Sequence, residues 1–242
     1  MLIGVPKEIK PDEYRVGLTP ESVLTLVNGG HQVMVLTNAG MGIGKGDQDY
    51  LKAGAEIVAT RDEIFERAQM VIKVKEPQLD ECALLRQGQI LFTYLHLAPD
   101  PEQTNALVNS GVSAIAYESV MAEDKSYPLL IPMSAIAGRM AVQAGASCLE
   151  KAKGGSGILM GGVTNVDPAK VTIIGGGVVG YNAIEIALGM QANVTVLDKS
   201  AARLDYLETV FGDDLNAVFS DSESNETFIA AADLVIGAVL VP

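Results

Sequence analysis

A glycine-rich run at positions 175–180 is the feature of this chain best suited to bind a small molecule. It reads GGGVVG, fits the pattern G-x-G-x-x-G, and lies between a predicted strand and a predicted helix. In that context the first glycine allows a tight turn, the second lets the backbone approach a pyrophosphate, and the third lets the helix pack closely on the strand. The predicted cofactor-binding residues are Gly175, Gly177, Val178, Val179 and Gly180. The alternative is a glycine-rich turn without a ligand.

Asp198 follows at the end of the next predicted strand, 23 residues after Gly175. A carboxylate there accepts hydrogen bonds from an adenosine ribose and repels a 2′-phosphate, which favours NAD over NADP. Asp198 could instead cap the following helix, and Arg203 nearby keeps NADP open. Ser220 also follows a predicted strand, on the expected adenine side, although an ordinary loop serine fits equally well.

Three cationic or titratable side chains come just after predicted strands in the first half of the chain, where ligands of open α/β sheets collect. Arg15 lies in the loop after the first strand, and Lys75 and His96 directly follow two later ones. Arginine binds a carboxylate with two parallel hydrogen bonds, lysine binds a carboxylate or carbonyl, and histidine exchanges protons near neutral pH. The set predicts a site for an α-keto or α-amino acid. Alternatively, strand ends are polar simply because loops begin there.

Two further motifs carry no predicted chemistry. Four glycines around Lys45 suggest a phosphate-binding loop, but Ala39 replaces its first glycine and Gly46 its hydroxyl residue, so a mobile surface loop is predicted. His31, beside two glycines, is predicted to be a solvated loop residue.

Short β-rich runs alternate with helical runs along the chain, which predicts an α/β fold with a mainly parallel sheet. Six strands are predicted in the first half, over residues 2–5, 33–36, 56–58, 70–74, 90–95 and 112–117. The helices between them have start signals, namely Thr19 with Pro20, Thr60, and Pro101.

A helix predicted over residues 135–153, capped by Ser134 and ended by the glycine-rich run 154–157, marks a domain junction. We predict a flavodoxin-like or Rossmann-like substrate domain over residues 1–128 and a doubly wound Rossmann NAD-binding domain over residues 129–242. Four strands are predicted in the second domain, over 171–174, 194–197, 217–219 and 234–236, with no closing element after them. The second domain is therefore predicted to be incomplete at its C-terminus, and the chain to be a fragment or a shortened form.

Composition excludes several classes of function. Acidic residues outnumber basic ones by 30 to 17, giving a net charge of −13 that would repel nucleic acid. Two cysteines and two histidines leave almost no possibility of a Cys/His zinc site, so no metal is predicted. The distant cysteines and a charged N-terminus predict a cytoplasmic location. The apolar stretch 171–190 could mimic a membrane span, but three glycines and Glu185 favour a strand, turn and helix.

The chain resembles alanine dehydrogenases and the soluble NAD-binding part of proton-translocating transhydrogenase over all 242 residues. The motifs that carry the resemblance are MLIGVPKE at 1–8, RV at 15–16, LTP at 18–20, KVKEP at 73–77, FTYLHLA at 92–98, MS at 133–134, GR at 138–139, the 175–180 run, and ADLVIGAVLVP at 232–242. His96 stands where the transhydrogenase branch usually has a tryptophan-proline segment. The resemblance is therefore to the alanine dehydrogenase branch.

The resemblance implies NAD-dependent oxidative deamination of L-alanine to pyruvate and ammonia, and the reverse reaction. It implies that Arg15 and Lys75 bind substrate, that His96 is catalytic, and that the enzyme is a homohexamer. The positions implied to contact NAD are Ser134, Asp198, Arg203, Ser220, Val239 and Leu240. Members of the family continue past Pro242 with a catalytic aspartate, so this chain alone is expected to be weakly active or inactive. The alternatives are a transhydrogenase NAD-binding subunit and a non-catalytic NAD-binding module.

Overall fold

The computed structural model describes residues 1–239, and the chain divides into two units between Tyr127 and Pro128. The first unit is built on a six-stranded parallel sheet in the order β3-β2-β1-β4-β5-β6. Its strands are β1 (Leu2–Val5), β2 (Gln32–Leu36), β3 (Glu56–Val58), β4 (Met70–Ile72), β5 (Ile90–Thr93) and β6 (Ser113–Ala116). Its helices are α1 (Pro20–Asn28), α2 (Asp47–Lys52), α3 (Arg61–Arg67), α4 (Leu79–Cys82) and α5 (Pro101–Ser110).

Helices cover both faces of this sheet. Successive residues of one strand point to opposite faces, and so they pack against different helices. Val33 and Val35 pack in one core with residues of α1 and α2, whereas Met34 between them packs in a second core with residues of α3 and α5. The predicted start signals position these helices: the Thr19 hydroxyl accepts the Ser22 N–H at 3.3 Å, and the Thr60 hydroxyl accepts the Glu63 N–H at 3.3 Å.

The strand order places β1, β4 and β5 side by side in the sheet. All three are parallel, with Ile3 paired to Met70 and Met70 paired to Ile90. The loops that follow them therefore all lie at the carboxyl ends of the strands. The chain adds β2 and β3 on one side of β1 and then β4, β5 and β6 on the other, so the topological switch point lies between β1 and β4.

The second unit begins with the long helix α6 (Ile131–Cys148) and contains a four-stranded parallel sheet in the order β10-β7-β8-β9. Its remaining elements are β7 (Lys170–Ile174), α7 (Val178–Gly189), β8 (Asn193–Asp198), α8 (Ala201–Phe211), β9 (Leu215–Phe219), α9 (Ser222–Ala231) and β10 (Leu234–Gly237). The predicted α/β class with parallel sheets is confirmed in both units. The apolar stretch 171–190 is strand, turn and helix, and no helix within residues 1–239 is long and apolar enough to cross a membrane.

Two local predictions were wrong. Ser134 is not a helix cap, because α6 begins at Ile131 and the Ser134 N–H already bonds the Leu130 carbonyl oxygen at 3.0 Å. Pro132 lies in the first turn, where a missing N–H costs no helical hydrogen bond. The predicted end of the same helix was also wrong, because α6 ends at Cys148 and residues 151–153 form a separate 3₁₀ turn. Around Lys45, residues 41–43 form a 3₁₀ turn and α2 begins at Asp47.

Candidate functional site

Arg15, in the loop after β1, is held by Glu13. Its Nε and Nη2 donate to the two carboxylate oxygens of Glu13 at 2.8 and 2.6 Å, and its backbone N–H donates to the same carboxylate at 2.9 Å. Glu13 is nearly buried, with 9% of its side chain exposed, whereas 44% of the Arg15 side chain is exposed. The bidentate pair lowers the pKa of the Glu13 carboxyl. The pair with Glu13 therefore fixes the orientation of the half-exposed Arg15 guanidinium.

A cleft of about 280 Å³ lies beside Arg15 within the first unit. Its lining includes Lys7, Glu8, Ala39, Met41 and Gly42. The glycine segment that carried no predicted function therefore forms one wall. A side chain at Gly42 would collide with the backbone carbonyl of Tyr14, so this wall depends on glycine for its close approach to the Arg15 loop.

Lys75 comes three residues after the end of β4 and lies next to a buried charged cluster. Lys73 is completely buried, and its Nζ donates to the carboxylates of Glu8 at 3.1 Å and Glu81 at 2.9 Å. Glu8 also accepts the N–H of Val74 at 2.7 Å, which anchors the backbone just before Lys75. Burial raises the pKa of the Glu8 carboxyl even though Lys73 opposes that shift.

The sequence analysis did not identify this cluster. The only available signal was a lysine inside a predicted strand, at position 73, where an unpaired charge would be costly to bury.

His96 comes three residues after the end of β5 and has an unusual backbone conformation, with φ at 47°. The backbone N–H groups of Leu95 and His96 both donate to the carboxylate of Glu118, at 3.0 and 2.8 Å. The imidazole lies nearly parallel to the ring of Tyr94, with 6.2 Å between ring centroids and 16° between planes. The His96 residue is exposed.

Electrostatic interactions connect Arg15 and Lys75, and a ring contact links His96 to Tyr94. The pKa of Glu13 is lowered mainly by Arg15 and further by Lys75, so both cations act on one carboxylate. Burial raises the pKa of the Tyr94 phenol, and the charge of Arg15 opposes that shift. Tyr94 in turn stacks with His96. Arg15 and Lys75 therefore act on one carboxylate, and Tyr94 contacts His96 through its ring.

The glycine run of the second unit has the geometry of a phosphate-binding turn. Gly175 follows β7 with φ at 98°, a value that favours glycine. Gly180 lies inside α7, where an added Cβ would overlap the Gly175 carbonyl oxygen. Gly177 precedes the first residue of α7, and no atom lies within 4 Å of the place where its Cβ would stand. This opening, beside Val178 and Val179 in the first turn, fits the pyrophosphate of a dinucleotide.

Asp198, at the end of β8, and Arg203, in α8, hold the backbone of the glycine turn at Gly176. Asp198 is the last residue of β8, and its carboxylate accepts the N–H groups of Gly176 at 2.7 Å and Ser200 at 2.8 Å. Arg203 donates from Nε to the Gly176 carbonyl at 2.5 Å, and its guanidinium lies 4.8 Å from the ring centroid of Tyr206. The cap of α8 is Ser200, so Asp198 does not cap that helix.

The remaining predicted cofactor positions lie in the second unit. Ser220 directly follows β9 and is nearly buried, with its hydroxyl 3.1 Å from the side-chain oxygen of Asn225. Ser134 is in the first turns of α6, and Val239 lies beside Gly175. Leu240 lies outside the described residues. Within residues 1–239, no group of three or more His, Cys, Asp and Glu side chains is arranged to hold a metal ion.

Two family models match this chain. Residues 4–137 match the family model "Alanine dehydrogenase/PNT, N-terminal domain", and residues 141–242 match "Alanine dehydrogenase/PNT, C-terminal domain". The chain belongs to the alanine dehydrogenase/PNT family. The resemblance predicted from the sequence is therefore confirmed.

Within the alanine dehydrogenase/PNT family, the similar proteins are mainly alanine dehydrogenases. The chain is 52% identical to the alanine dehydrogenase of Methanococcus maripaludis and 52% identical to that of Bacillus subtilis over all 242 residues. It spans 65% and 64% of the lengths of those two relatives.

Solved structures of an L-alanine dehydrogenase and of a transhydrogenase both match this chain. A structure of L-alanine dehydrogenase matches with a TM-score of 0.91 at 53% identity, over 100% of this chain and 67% of the other. A transhydrogenase from Sinorhizobium meliloti matches with a TM-score of 0.80 at 27% identity, over 100% of this chain and 70% of the other. The chain is therefore more similar to the alanine dehydrogenase of this pair.

Proposed function

We propose that the protein carrying this chain catalyses the reversible reaction of L-alanine, NAD⁺ and water to pyruvate, ammonium, NADH and a proton. The observation that supports it most directly is the placement of Arg15, Lys75 and His96 in loops that follow the adjacent strands β1, β4 and β5. A cation pair and a histidine at one sheet edge suit an acid with a reactive group at C2.

Each of these residues has a separate proposed role. Arg15, oriented by Glu13, binds the carboxylate of the acid, and Lys75 binds the carbonyl oxygen of pyruvate. His96 donates a hydrogen bond to that oxygen and moves protons as the carbinolamine and imine of the substrate form and collapse. Binding the small acid at two points holds C2 in one orientation, which is a large part of the catalysis.

The second unit carries the proposed dinucleotide site. NAD, when bound, accepts hydride from C2 of alanine or returns it from its reduced form to the imine. Gly177, Val178 and Val179 hold the pyrophosphate, and Asp198 binds the ribose. Arg203 already bonds Gly176 and packs on Tyr206. Because its guanidinium is engaged there and not directed to a 2′-phosphate, NAD is favoured over NADP. Ser134, Ser220, Val239 and Leu240 are proposed to complete the site.

We also propose an oligomeric state and a location for the protein. The resemblance supports a homo-oligomer, with a hexamer as the expected state, and a cytoplasmic enzyme. The net charge of −13 argues against nucleic acid as a partner.

Calorimetry on the chain tests the two binding sites separately. We expect the chain to bind NADH and pyruvate, and Lys75→Met to weaken pyruvate by about tenfold or more without affecting NADH, since one of two charge contacts is lost. Lys52→Met is the matched control, because Lys52 is an exposed lysine at the end of α2. NADH binding without pyruvate binding would favour a non-catalytic module or a transhydrogenase subunit.

Turnover is measured by following NADH formation from L-alanine. Two forms are compared: the chain alone, and the chain fused to the part of the Bacillus subtilis relative that the match leaves out. Alanine-dependent turnover by the fused form is the expected result. Failure of a folded fused form that binds both ligands would contradict the proposed reaction.

A further inference from the structure

His96 is the one candidate catalytic residue among the described residues that lies in the left-handed region of backbone conformation, with φ at 47°. That region is unfavourable for any side chain with a Cβ, and such residues persist only where neighbouring groups hold them. The groups that hold the His96 backbone therefore determine where its imidazole points.

Glu118 is the side chain that bonds this backbone. It lies in a 3₁₀ turn (Tyr117–Ser119) that directly follows β6, the neighbour of β5 in the sheet. Thr93 and Ala116 are paired across these two strands, so Leu95 and Glu118 each stand two residues beyond the last pair. One carboxylate oxygen, Oε1, accepts the N–H groups of both Leu95 (3.0 Å) and His96 (2.8 Å).

Other side chains hold the flanking carbonyl groups of the same loop. Gln103 donates from Nε2 to the Leu95 carbonyl oxygen at 3.1 Å, and Thr104 donates to the Leu97 carbonyl oxygen at 3.1 Å. These bonds fix the ends of the loop from α5. The bond from His96 itself goes to Glu118, and a charged acceptor makes it stronger than a neutral one would.

We propose that Glu118 is a positioning residue that holds His96 in its left-handed conformation and so keeps the imidazole stacked on Tyr94 and directed at the acid. The inference rests on the proposed function, because it assumes that His96 acts on the bound acid. Glu118 acts through the backbone and makes no contact with the ligand in this scheme. Loss of its carboxylate frees two N–H groups and allows the loop to relax.

The test uses the full chain with four forms: wild type, Glu118→Ala, Glu118→Gln and the control Glu102→Gln. Glu102 is an exposed glutamate in the first turn of α5. Amide hydrogen exchange at Leu95 and His96 is measured by NMR. Because lost hydrogen bonds expose the amides, we expect exchange at both sites about tenfold faster in Glu118→Ala, less so in Glu118→Gln, which keeps one acceptor oxygen, and unchanged in the control.

The imidazole gives a second readout, since the chain has only two histidines. Pyruvate is expected to move the ring signal of His96 and to leave that of His31 in place. In Glu118→Ala we expect the His96 response to fall to about half or less, while the Kd for pyruvate changes by less than about threefold because Arg15 and Lys75 still bind it. Glu118→Gln should recover part of the response.

Two results would overturn the inference. One is unchanged amide exchange at His96 in Glu118→Ala; if that variant does not fold, unchanged exchange in Glu118→Gln serves instead. The other is faster exchange with a full response of the His96 ring to pyruvate, which would make Glu118 a stabilising residue only. If pyruvate moves neither histidine in the wild type, the proposed function fails, and the exchange rates still decide whether Glu118 holds the loop.

Discussion

Two glycines of the 175–180 turn should respond in opposite ways to the same substitution. At Gly180 an added Cβ would stand 1.8 Å from the Gly175 carbonyl oxygen, whereas at Gly177 nothing lies within 4 Å of the added atom. Gly177→Ala should therefore leave the free protein stable and block a bound pyrophosphate. Gly180→Ala should damage the free protein itself.

The size of the Gly180 effect follows from that distance. Ordinary contact begins near 3.4 Å, so the first turn of α7 and the end of β7 must separate by 3.4 − 1.8 = 1.6 Å. The atom that must move is backbone, which places the substitution at the upper end of overpacking, about 3 kcal/mol. For a unit of this size, that loss lowers Tm by about 10 °C or more.

Thermal unfolding and calorimetry with NADH measure both effects. We expect Gly177→Ala to keep Tm within about 2 °C of the wild type and to raise the Kd for NADH at least about tenfold, which is about 1.4 kcal/mol. Wild-type NADH affinity in Gly177→Ala would refute the assignment of this opening to the pyrophosphate. A wild-type Tm in Gly180→Ala would refute the packing argument.

Three further predictions concern the first unit. In the fused form that turns over alanine, His96→Ala should lower kcat by about two to four decades with the Kd for NADH unchanged, and intact turnover would contradict the catalytic role. Lys73→Met leaves the buried carboxylates of Glu8 and Glu81 without their cation and should lower the free energy of unfolding in urea by about 3–5 kcal/mol. An equally stable variant would show that the cluster is not paired as described. The pKa of Glu13 is lowered by Arg15, so the stability that Glu13 contributes is present above its ordinary pKa near 4.5 and is lost as the pH falls through the lowered value. The difference in stability between wild type and Glu13→Gln, about 1 kcal/mol at neutral pH, should therefore shrink as the pH falls below 4.5. A difference in Tm that stays constant with pH would exclude this pair as its source.

The sequence was sufficient for the strands, for most of the longer helices and for the choice of candidate residues, whereas it did not predict the short helices α2 and α4. Short apolar runs predicted all ten strands found within residues 1–239, because the period of hydrophobic residues is a local property of a few positions. The same patterns located Arg15, Lys75 and His96 after strands and the glycine run before α7. Helix starts were predicted at Thr19, where a cap is followed by a proline, and at Thr60, where a cap is followed by acidic residues. The prediction failed at Ser134 because Pro132 allows α6 to begin one turn earlier.

The tertiary structure alone decided which of these residues follow neighbouring strands and which side chains hold them. The strand order makes β1, β4 and β5 neighbours although they are far apart in the chain. The partners that set each side chain are similarly distant: Lys73 bonds Glu8 across 65 positions, and His96 bonds Glu118 across 22. A local pattern specifies whether a segment becomes strand or helix. Which charges meet depends on how the whole sheet is assembled, and so it cannot be predicted from neighbouring residues.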